Sequence, residues 1–403
     1  MDEITIEKPF KQPFLNQFVL APSILPFTDE ELRKLDTDLN KYEVLFLNPD
    51  IERNLISKNE LLASFGISKA ENSKLTLQEA QDVYDFILNN QDYTFISEKL
   101  KRGEKLTGKD YDKLEFFNIA TVFRNVNQNP IHITEVTPKY IKDLHRQLTQ
   151  GLDIFKDYLL DFDVYKSGQF RDNNDIRVAT YKPAPYTEIE KSVEELLEWV
   201  KKNLTLTSVG IFHTALYALH PFNNGNKRVS RILEHIFLRS LGINGKNLYS
   251  TSYYYHKEKE RYLKYLLFSL EKRNLNHFVG FFEEAIVLSI IGVIKTSLEV
   301  KREEFITSRD VDEQTRTILR PLIKRHEIQF NNLYKEVSRK MARQTFTNYL
   351  EKATTEGIVT RRSEGRNVYY SLNSSFQEEK EIHTLLDFVK PKLSFIPDEI
   401  KLA

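Results

Sequence analysis

The residues best suited to chemistry stand together in one polar stretch, from His220 to Arg231. An imidazole has an ordinary pKa near ~6.5, so a neutral His220 can accept a proton from an attacking hydroxyl. Arg228 and Arg231 carry fork-shaped guanidinium groups, which bind phosphate oxygens in pairs. Gly225 lies in an Asn-Asn-Gly-Asn run that is typical of a turn. Together these residue types predict a site that binds phosphate and moves a proton.

Two helices must position this stretch. Apolar residues precede it at helical spacing, and from Val229 to Phe237 they recur at intervals of three and four. The loop therefore precedes the amino end of a buried helix, where free backbone N–H groups and the helix dipole favour an anion. Each feature alone has an ordinary interpretation: a histidine beside proline is most often structural, and an arginine pair on a helix is usually solvated. Their conjunction is much rarer and favours a phosphate site.

The stretch resembles the Fic family motif, His-Pro-Phe-x-(Asp/Glu)-Gly-Asn-Gly-Arg-x-x-Arg. The resemblance implies transfer of AMP from ATP to a Ser, Thr or Tyr hydroxyl of a target protein, with the motif histidine as the base. It also implies that Gly225, Asn226 and Arg228 hold the α- and β-phosphates and that Arg231 holds the γ-phosphate. His213 fits the family's usual lead-in. The motif reads here His220-Pro-Phe-Asn-Asn224-Gly225-Asn226-Lys227-Arg228-Val-Ser-Arg231.

Two positions depart from the motif. Asn224 replaces the acidic residue that holds Mg²⁺ in the family, and a neutral amide is a poorer ligand for this hard cation. Lys227 replaces the second glycine and places a long cation among the candidate phosphate-binding residues. The Doc branch of the superfamily also has lysine there, and it transfers the γ-phosphate. Three alternatives stay open: AMP transfer with Mg²⁺ in doubt, Doc-like phosphate transfer, and a catalytically degenerate scaffold.

Residues 165–185 combine glycine, an Asn-Asn pair and two prolines around a short β-prone piece. This composition predicts a hairpin or an extended loop. Its start, Ser-Gly-Gln-Phe-Arg, resembles the flap of Fic proteins, which pairs with the target segment as an added strand. By that resemblance Arg171, Arg177 and Val178 would dock the target. The alternative is an ordinary surface hairpin.

Residues 67–72 resemble the inhibitory segment of Fic proteins, (Ser/Thr)-x-x-x-Glu-(Gly/Asn). Glu71 and Asn72 match, while Ser68 stands three residues before the glutamate instead of four. The resemblance implies that Glu71 pairs with Arg231 and occupies the γ-phosphate position, in direct competition with ATP. The alternative is that Glu71 is one more exposed helix carboxylate.

The carboxyl-terminal part predicts a helix, a turn, a second helix and a hairpin, the order of a winged helix. Residues 320–373 hold 11 Lys or Arg and 5 Asp or Glu, a net charge of +6 in a chain whose total is zero. This favours a DNA partner, and a protein-docking winged helix is the alternative. The candidate DNA contacts are Arg343, Gln344, Thr345, Asn348, Arg361, Arg362 and Arg366.

Composition narrows the class of protein. The 403 residues are 40% hydrophobic and 29% charged, which is typical of several globular domains. The lack of cysteine excludes thiol catalysis, disulfides and thiolate metal sites. The start shows no secretory pattern, and the apolar run 285–294 is shorter than the ~20 residues that a bilayer requires. We expect a cytoplasmic protein with no membrane partner, and a homodimer only by analogy with other Fic cores.

We therefore expect a mainly α fold, a Fic-type helical bundle with a β-hairpin flap, joined to a small α+β winged-helix domain. ATP is the expected cofactor, and Mg²⁺ is in question because of Asn224. The expected parts are an amino-terminal helical region with the inhibitory segment (1–107), the Fic core (108–300), a connecting helix (301–319), the winged helix (320–375) and a tail (376–403).

Overall fold

The computed structural model describes residues 5–39, 49–89, 91, 93–160, 162 and 166–401. These residues divide into two compact units, the first ending at Ser289 and the second beginning at Ile290. Among the described residues, the first unit includes the predicted amino-terminal region and the predicted core as far as Ser289. The second includes the last residues of the predicted core, the predicted connecting helix, the winged helix and the tail.

The first unit is helical, as predicted. Three of its helices, at residues 77–88, 108–128 and 206–219, begin with capping boxes, in which a threonine side chain and the third helical residue satisfy each other's backbone N–H groups. The helices are α1 (Asp29–Leu39), α2 (Pro49–Ala70), α3 (Leu77–Leu88), α4 (Phe95–Lys101), α5 (Gly108–Gln128), α6 (Pro138–Leu148), α7 (Ile189–Lys202), α8 (Leu206–Leu219), α9 (Asn226–Ser240), α10 (Thr251–Lys257), α11 (Lys259–Lys272) and α12 (Asn276–Thr307), the last of which continues into the second unit.

Helix α8 lies at the centre of the first unit. All its residues from Ser208 to Leu219 are buried, because α1, α7, α9 and α11 pack around it. Gly210 permits a close approach to α12, since a Cβ atom there would lie 2.8 Å from the Phe282 ring. The motif loop leaves the end of this fixed central helix and so starts from a well-defined position.

Within the described residues, α12 is the helix that is long and apolar enough to cross a membrane by length and composition alone. Of its most apolar window, 78% is buried inside the protein. A buried core helix needs the same composition, so this is weak evidence for a membrane span. The run 285–294 lies inside α12 and is buried except for partly exposed positions near its end.

The second unit has a three-stranded antiparallel sheet in the order β1-β3-β2. The β2–β3 hairpin runs from the pair Val359 and Leu372 to the pair Glu364 and Asn367. In place of one connecting helix over 301–319, α12 ends and a new helix begins after Asp312, whose side chain accepts from Thr315 N–H at 2.7 Å. The remaining elements are α13 (Glu313–Lys324), β1 (Ile328–Gln329), α14 (Phe330–Val337), α15 (Arg343–Thr355), β2 (Val359–Glu364), β3 (Asn367–Leu372), α16 (Gln377–Val389) and α17 (Asp398–Lys401).

The predicted β-hairpin flap is an extended segment in the described residues from 166 to 185. Its β-structure is a single antiparallel bridge between Val178 and Tyr181. The Arg171 guanidinium donates to the carbonyl groups of Asn173 and Ala184 within this segment. Two prolines at the end of the segment lack the N–H groups that a ladder requires.

Candidate active site

The motif loop connects α8 to α9 through two residues with left-handed backbones. His220 has a φ of 49°, and Gly225, the residue before α9, has a φ of 80°. The Asn226 side chain closes the loop, accepting from Phe222 N–H at 2.9 Å and donating to Phe222 O at 2.8 Å. Its amide therefore shapes the loop, in addition to any contact with phosphate that the family resemblance implies.

His220 is nearly buried, with 9% of its surface exposed. Burial lowers its pKa to about 4, and the nearby Arg171 adds to this effect. A hydrogen bond between the ring and the Tyr217 backbone opposes this shift without reversing it. The imidazole is therefore neutral at pH 7 and has a lone pair available for a proton.

Arg171 is a buried support of the loop, which corrects its expected place on a target-docking surface. Only 3% of the residue is exposed. Its Nε donates to His220 O at 2.8 Å, and its backbone N–H donates to Pro221 O at 2.8 Å. A guanidinium already bound to backbone carbonyls cannot meet a target segment. Of the three predicted docking residues, Arg177 is exposed and Val178 is partly exposed.

Two carboxylates face the buried side chain of Arg228. Glu115 Oε1 lies 3.2 Å from Arg228 Nη1, and Glu71 Oε1 lies 3.7 Å from Arg228 Nε. Burial raises the pKa of Glu115 to about 7, although Arg228 opposes the shift. Burial also opposes ionisation of Glu71, but Lys227 and Arg228 outweigh it and lower the pKa of this carboxyl. Glu115 was not predicted as a site residue. Its position among the apolar residues of a helix is the sequence signal that could have identified it as a buried carboxylate.

Lys227 points to the end of α2 rather than into the loop. Its Nζ donates to Ala70 O at 3.1 Å and lies 3.8 Å from Glu71 Oε2. The lysine thus interacts with the carbonyl end of a helix, where a cation is favourable.

Arg231 also binds α2, but through the backbone. Its Nη1 donates to Gly66 O at 3.0 Å and to Ser252 O at 3.4 Å. The guanidinium lies over the rings of Tyr262 and Tyr255, at 4.6 and 5.2 Å. Among the described residues the ion pairs of Glu71 are with Lys227 and Arg228, which corrects the expected direct pair with Arg231.

The α2 terminus, residues 66–72, ends in a left-handed residue. Asn72 has a φ of 66°, a conformation that asparagine and glycine adopt more easily than other residues. Its side chain accepts from Lys259 Nζ at 2.9 Å. Ser68 is 1% exposed, and its Oγ has no hydrogen-bond partner among the described residues. The Asn72 turn directs Glu71 toward the motif arginines.

Two further histidines near the motif have structural partners. His213 and Glu234 form a fully buried pair, with Nδ1 and Oε2 2.6 Å apart. His145, which was not predicted, stacks on Phe222 with ring centroids 3.9 Å apart. It lies on the apolar face of α6 with Leu144 and Leu148, which is the one sequence signal that could have identified it.

The donors present do not fit a resident Mg²⁺. Among the described residues there is no group of three or more His, Cys, Asp or Glu that could hold a metal ion. Asn224 Oδ1 accepts from Gly225 N–H at 2.6 Å and from Arg228 Nη2 at 3.4 Å. This amide therefore helps to close the loop, and we assign no step of the reaction to a metal.

The predicted DNA contacts are all exposed. Arg362 is held by Glu327, at 2.6 Å, and by Glu364, at 2.8 Å. Arg343 donates to an asparagine of α14 and lies over the rings of Phe330 and Tyr334. Gln344 donates to Asn348 at 2.9 Å. Arg361 lies in β2, and Arg366 lies at the turn of the hairpin.

The site and the fold define a mainly helical protein in which the motif loop connects two buried helices. Residues 135–238, which include α6 to α8 and most of α9, match the model of the Fic/DOC family. Proteins of this family generally use ATP and Mg²⁺. No curated protein matches the chain.

Solved structures of Fic proteins are similar to it. A Fic family protein from Desulfovibrio desulfuricans G20 is 20% identical, with a TM-score of 0.48, over 88% of this chain and 99% of that one. Fic-1 from C. elegans is 18% identical, with a TM-score of 0.46, over 66% and 73% of the two chains. A Fic domain containing signaling protein from Bacteroides thetaiotaomicron VPI-5482 is 16% identical, with a TM-score of 0.45, over 65% and 96%.

Proposed function

We propose that this protein is an adenylyltransferase that moves AMP from ATP to a hydroxyl side chain of a target protein. The observation that carries the proposal is the buried, neutral His220 at the start of the loop that precedes the amino end of α9. Arg228 and Arg231 belong to the same helix and supply the positive charge that a triphosphate requires. The match of residues 135–238 to the Fic/DOC family model supports this class of reaction.

In the proposed reaction, His220 takes the proton of the target hydroxyl. The hydroxyl oxygen attacks the α-phosphorus, and the bond between the α-phosphorus and the bridging oxygen breaks. Pyrophosphate leaves, and AMP stays on the target as an ester. The protein contributes mainly position and charge, because phosphoryl chemistry of this kind needs little covalent help.

We further propose that the α2 terminus inhibits this reaction. Glu71 places its carboxylate 3.7 Å from Arg228 Nε, at a guanidinium that the triphosphate would need. Arg231 and Lys227 are bound to the carbonyl groups of Gly66 and Ala70. ATP therefore has to replace these internal anions and carbonyl dipoles before it can bind.

Lys227, which replaces glycine in the motif, has its Nζ at Ala70 O, so the α2 terminus supplies a partner for this additional cation. Asn224→Asp tests the other departure from the family. With a carboxylate there we expect ATP labelling of a target to become more dependent on Mg²⁺, and an unchanged dependence would show that Asn224 is not the weak point.

The test of function uses the Glu71→Gly protein with ATP labelled at the α- or at the γ-phosphate. We expect protein-bound label from α-labelled ATP only. Label from the γ-phosphate would replace the proposal with Doc-like phosphate transfer, and no label from either would favour the catalytically degenerate scaffold. Glu71→Gly combined with His220→Ala is the control, and it should bind ATP without transferring label.

We also propose that the second unit binds DNA. The exposed face of α15 carries polar and cationic residues opposite a buried stripe that includes Phe346 and Leu350. Arg361 and Arg366 lie on the adjoining hairpin and are exposed. A helix of this kind beside a basic hairpin matches the way winged helices place one helix in the major groove and contact phosphates with the wing.

Retardation of duplex DNA in a gel at low salt tests this second proposal. The double variant Arg361→Ala, Arg366→Ala should bind more weakly, and the slope of log affinity against log salt should fall by about two. The matched control is Lys380→Ala, Lys390→Ala, which removes the same charge from exposed positions of α16 and its end. An equal loss of DNA affinity in both double variants would show that the effect depends on net charge alone. No retardation by the wild type would exclude DNA binding.

A further inference from the structure

His145 lies between the two segments that form the candidate active site. It is 1% exposed, and it projects from α6. One ring nitrogen, Nε2, lies 3.0 Å from Asn224 O in the motif loop. The other, Nδ1, accepts the backbone N–H of Gly168 at 3.0 Å, in the extended segment that leads to Arg171.

The two hydrogen bonds define one protonation state of the ring. Gly168 N–H can only donate, so Nδ1 carries no proton and Nε2–H donates to Asn224 O. Burial lowers the pKa of His145 to about 4, which keeps this neutral form at pH 7. Each ring nitrogen therefore has one fixed partner on a different segment.

The ring also packs against the motif loop. It is parallel to the Phe222 ring, with an angle of 2° between the planes. A Cβ atom at Gly225 would lie 3.3 Å from His145 Nε2, so the ring reaches the last residue before α9. Three positions of a six-residue loop, 222, 224 and 225, thus contact one side chain of α6.

We propose that His145 is a positioning residue for nucleotide binding. It holds the motif loop and the segment of Gly168 in one arrangement, so that the amino end of α9 and His220 face the same ligand. Arg171 connects the same two segments a few residues further on, through His220 O and Pro221 O. His145 itself touches neither substrate nor reacting atoms, and the proposal rests on the proposed function for the identity of the ligand.

The test replaces His145 by Phe and Gln in the Glu71→Gly protein. Phe retains the stack on Phe222 but removes the ring's hydrogen bonds to Asn224 O and Gly168 N–H, and the loss of buried hydrogen bonds destabilises both segments. We expect faster amide exchange in peptides 222–226 and 167–171, and an ATP dissociation constant raised roughly tenfold or more by calorimetry. Gln can restore donation to Asn224 O alone, so it should recover the loop more than the Gly168 segment.

His235→Phe is the matched control. His235 is also buried, stacks on Phe123 at 4.5 Å and has its Nε2 atom 2.7 Å from Asn127 Oδ1, away from the loop. It should lower the melting temperature without changing ATP affinity or exchange in either peptide.

Three outcomes decide the proposal. Unchanged exchange in either peptide of His145→Phe would overturn it, and so would faster exchange with unchanged ATP affinity. If the Glu71→Gly parent itself does not bind ATP, the proposed function fails, while the exchange measurements still decide whether His145 connects the two segments.

Discussion

Replacing Glu71 by Gln removes one negative charge from the active-site cluster and leaves the size of the side chain unchanged. The carboxylate lies 3.8 Å from Lys227 Nζ and 3.7 Å from Arg228 Nε, and its side chain is 15% exposed. Two charges ~4 Å apart attract by about 4 kcal/mol at an effective dielectric constant of ~20, before the cost of dehydration. Because two cations lose a shared partner, we expect the free energy of unfolding without ligand to fall by about 3 kcal/mol.

Thermal unfolding with and without ATP measures the loss of stability and the change in ATP binding. Glu71→Gln should unfold at a lower temperature than the wild type without ligand, and ATP should raise its melting temperature more, because phosphate replaces the missing carboxylate. The matched control is Glu198→Gln. Its carboxylate also lies 3.8 Å from a lysine, Lys202, but its side chain is 74% exposed, so its effect should stay below about 0.5 kcal/mol. Equal melting temperatures and equal ATP responses for Glu71→Gln and wild type would refute the reasoning.

Three further changes test the site and the core that holds it. Lys227→Met keeps the aliphatic stem but removes the donor to Ala70 O, so amide exchange at residues 66–72 should become faster; unchanged exchange would deny Lys227 a role in holding α2. Burial raises the pKa of Glu283 to about 8, against ~4.3 unfolded, so the folded chain keeps a proton that the unfolded chain releases. The free energy of unfolding should therefore fall as pH rises from ~4.3 to 8, and denaturation of Glu283→Gln across this range should show a flatter dependence. Gly225→Ala should cost at least about 1 kcal/mol in denaturation experiments and weaken ATP binding, because its φ is 80° and a Cβ atom would lie 3.2 Å from Arg228 Nη2.

The helices around the motif could be predicted because the apolar residues that define each helix are close together in the sequence. Apolar residues at intervals of three and four placed one helix before His220 and another after Gly225, and the structure has α8 and α9 there. The left-handed backbone at Gly225 follows from turn chemistry in the same way. Helix order and hairpin in the second unit were also predicted, because turn residues and alternating apolar residues lie within a few positions of each other.

The supports of the loop could not be predicted, because their partners are distant in sequence. Arg171 binds His220 O across 49 residues, and His145 binds Asn224 O across 79 residues. No spacing rule connects such positions, so Arg171 was assigned to target docking and His145 was missed. The structure lacks the expected direct pair of Glu71 with Arg231 among its described residues for a related reason. Arg231 satisfies its Nη1 with Gly66 O, a backbone group that a sequence motif does not reveal.

The electrostatics of the site favour a ligand-binding role over a purely structural one. Arg228 and Arg231 are 0% and 2% exposed, and buried ion pairs are often no more stabilising than apolar residues of similar volume. A scaffold would therefore gain little from cations at these positions. A phosphate site requires them, and in the structure described here their partners are Glu71, Glu115 and the carbonyl end of α2. These internal partners occupy the cations that a triphosphate would use. Displacement of the α2 terminus should therefore limit nucleotide binding.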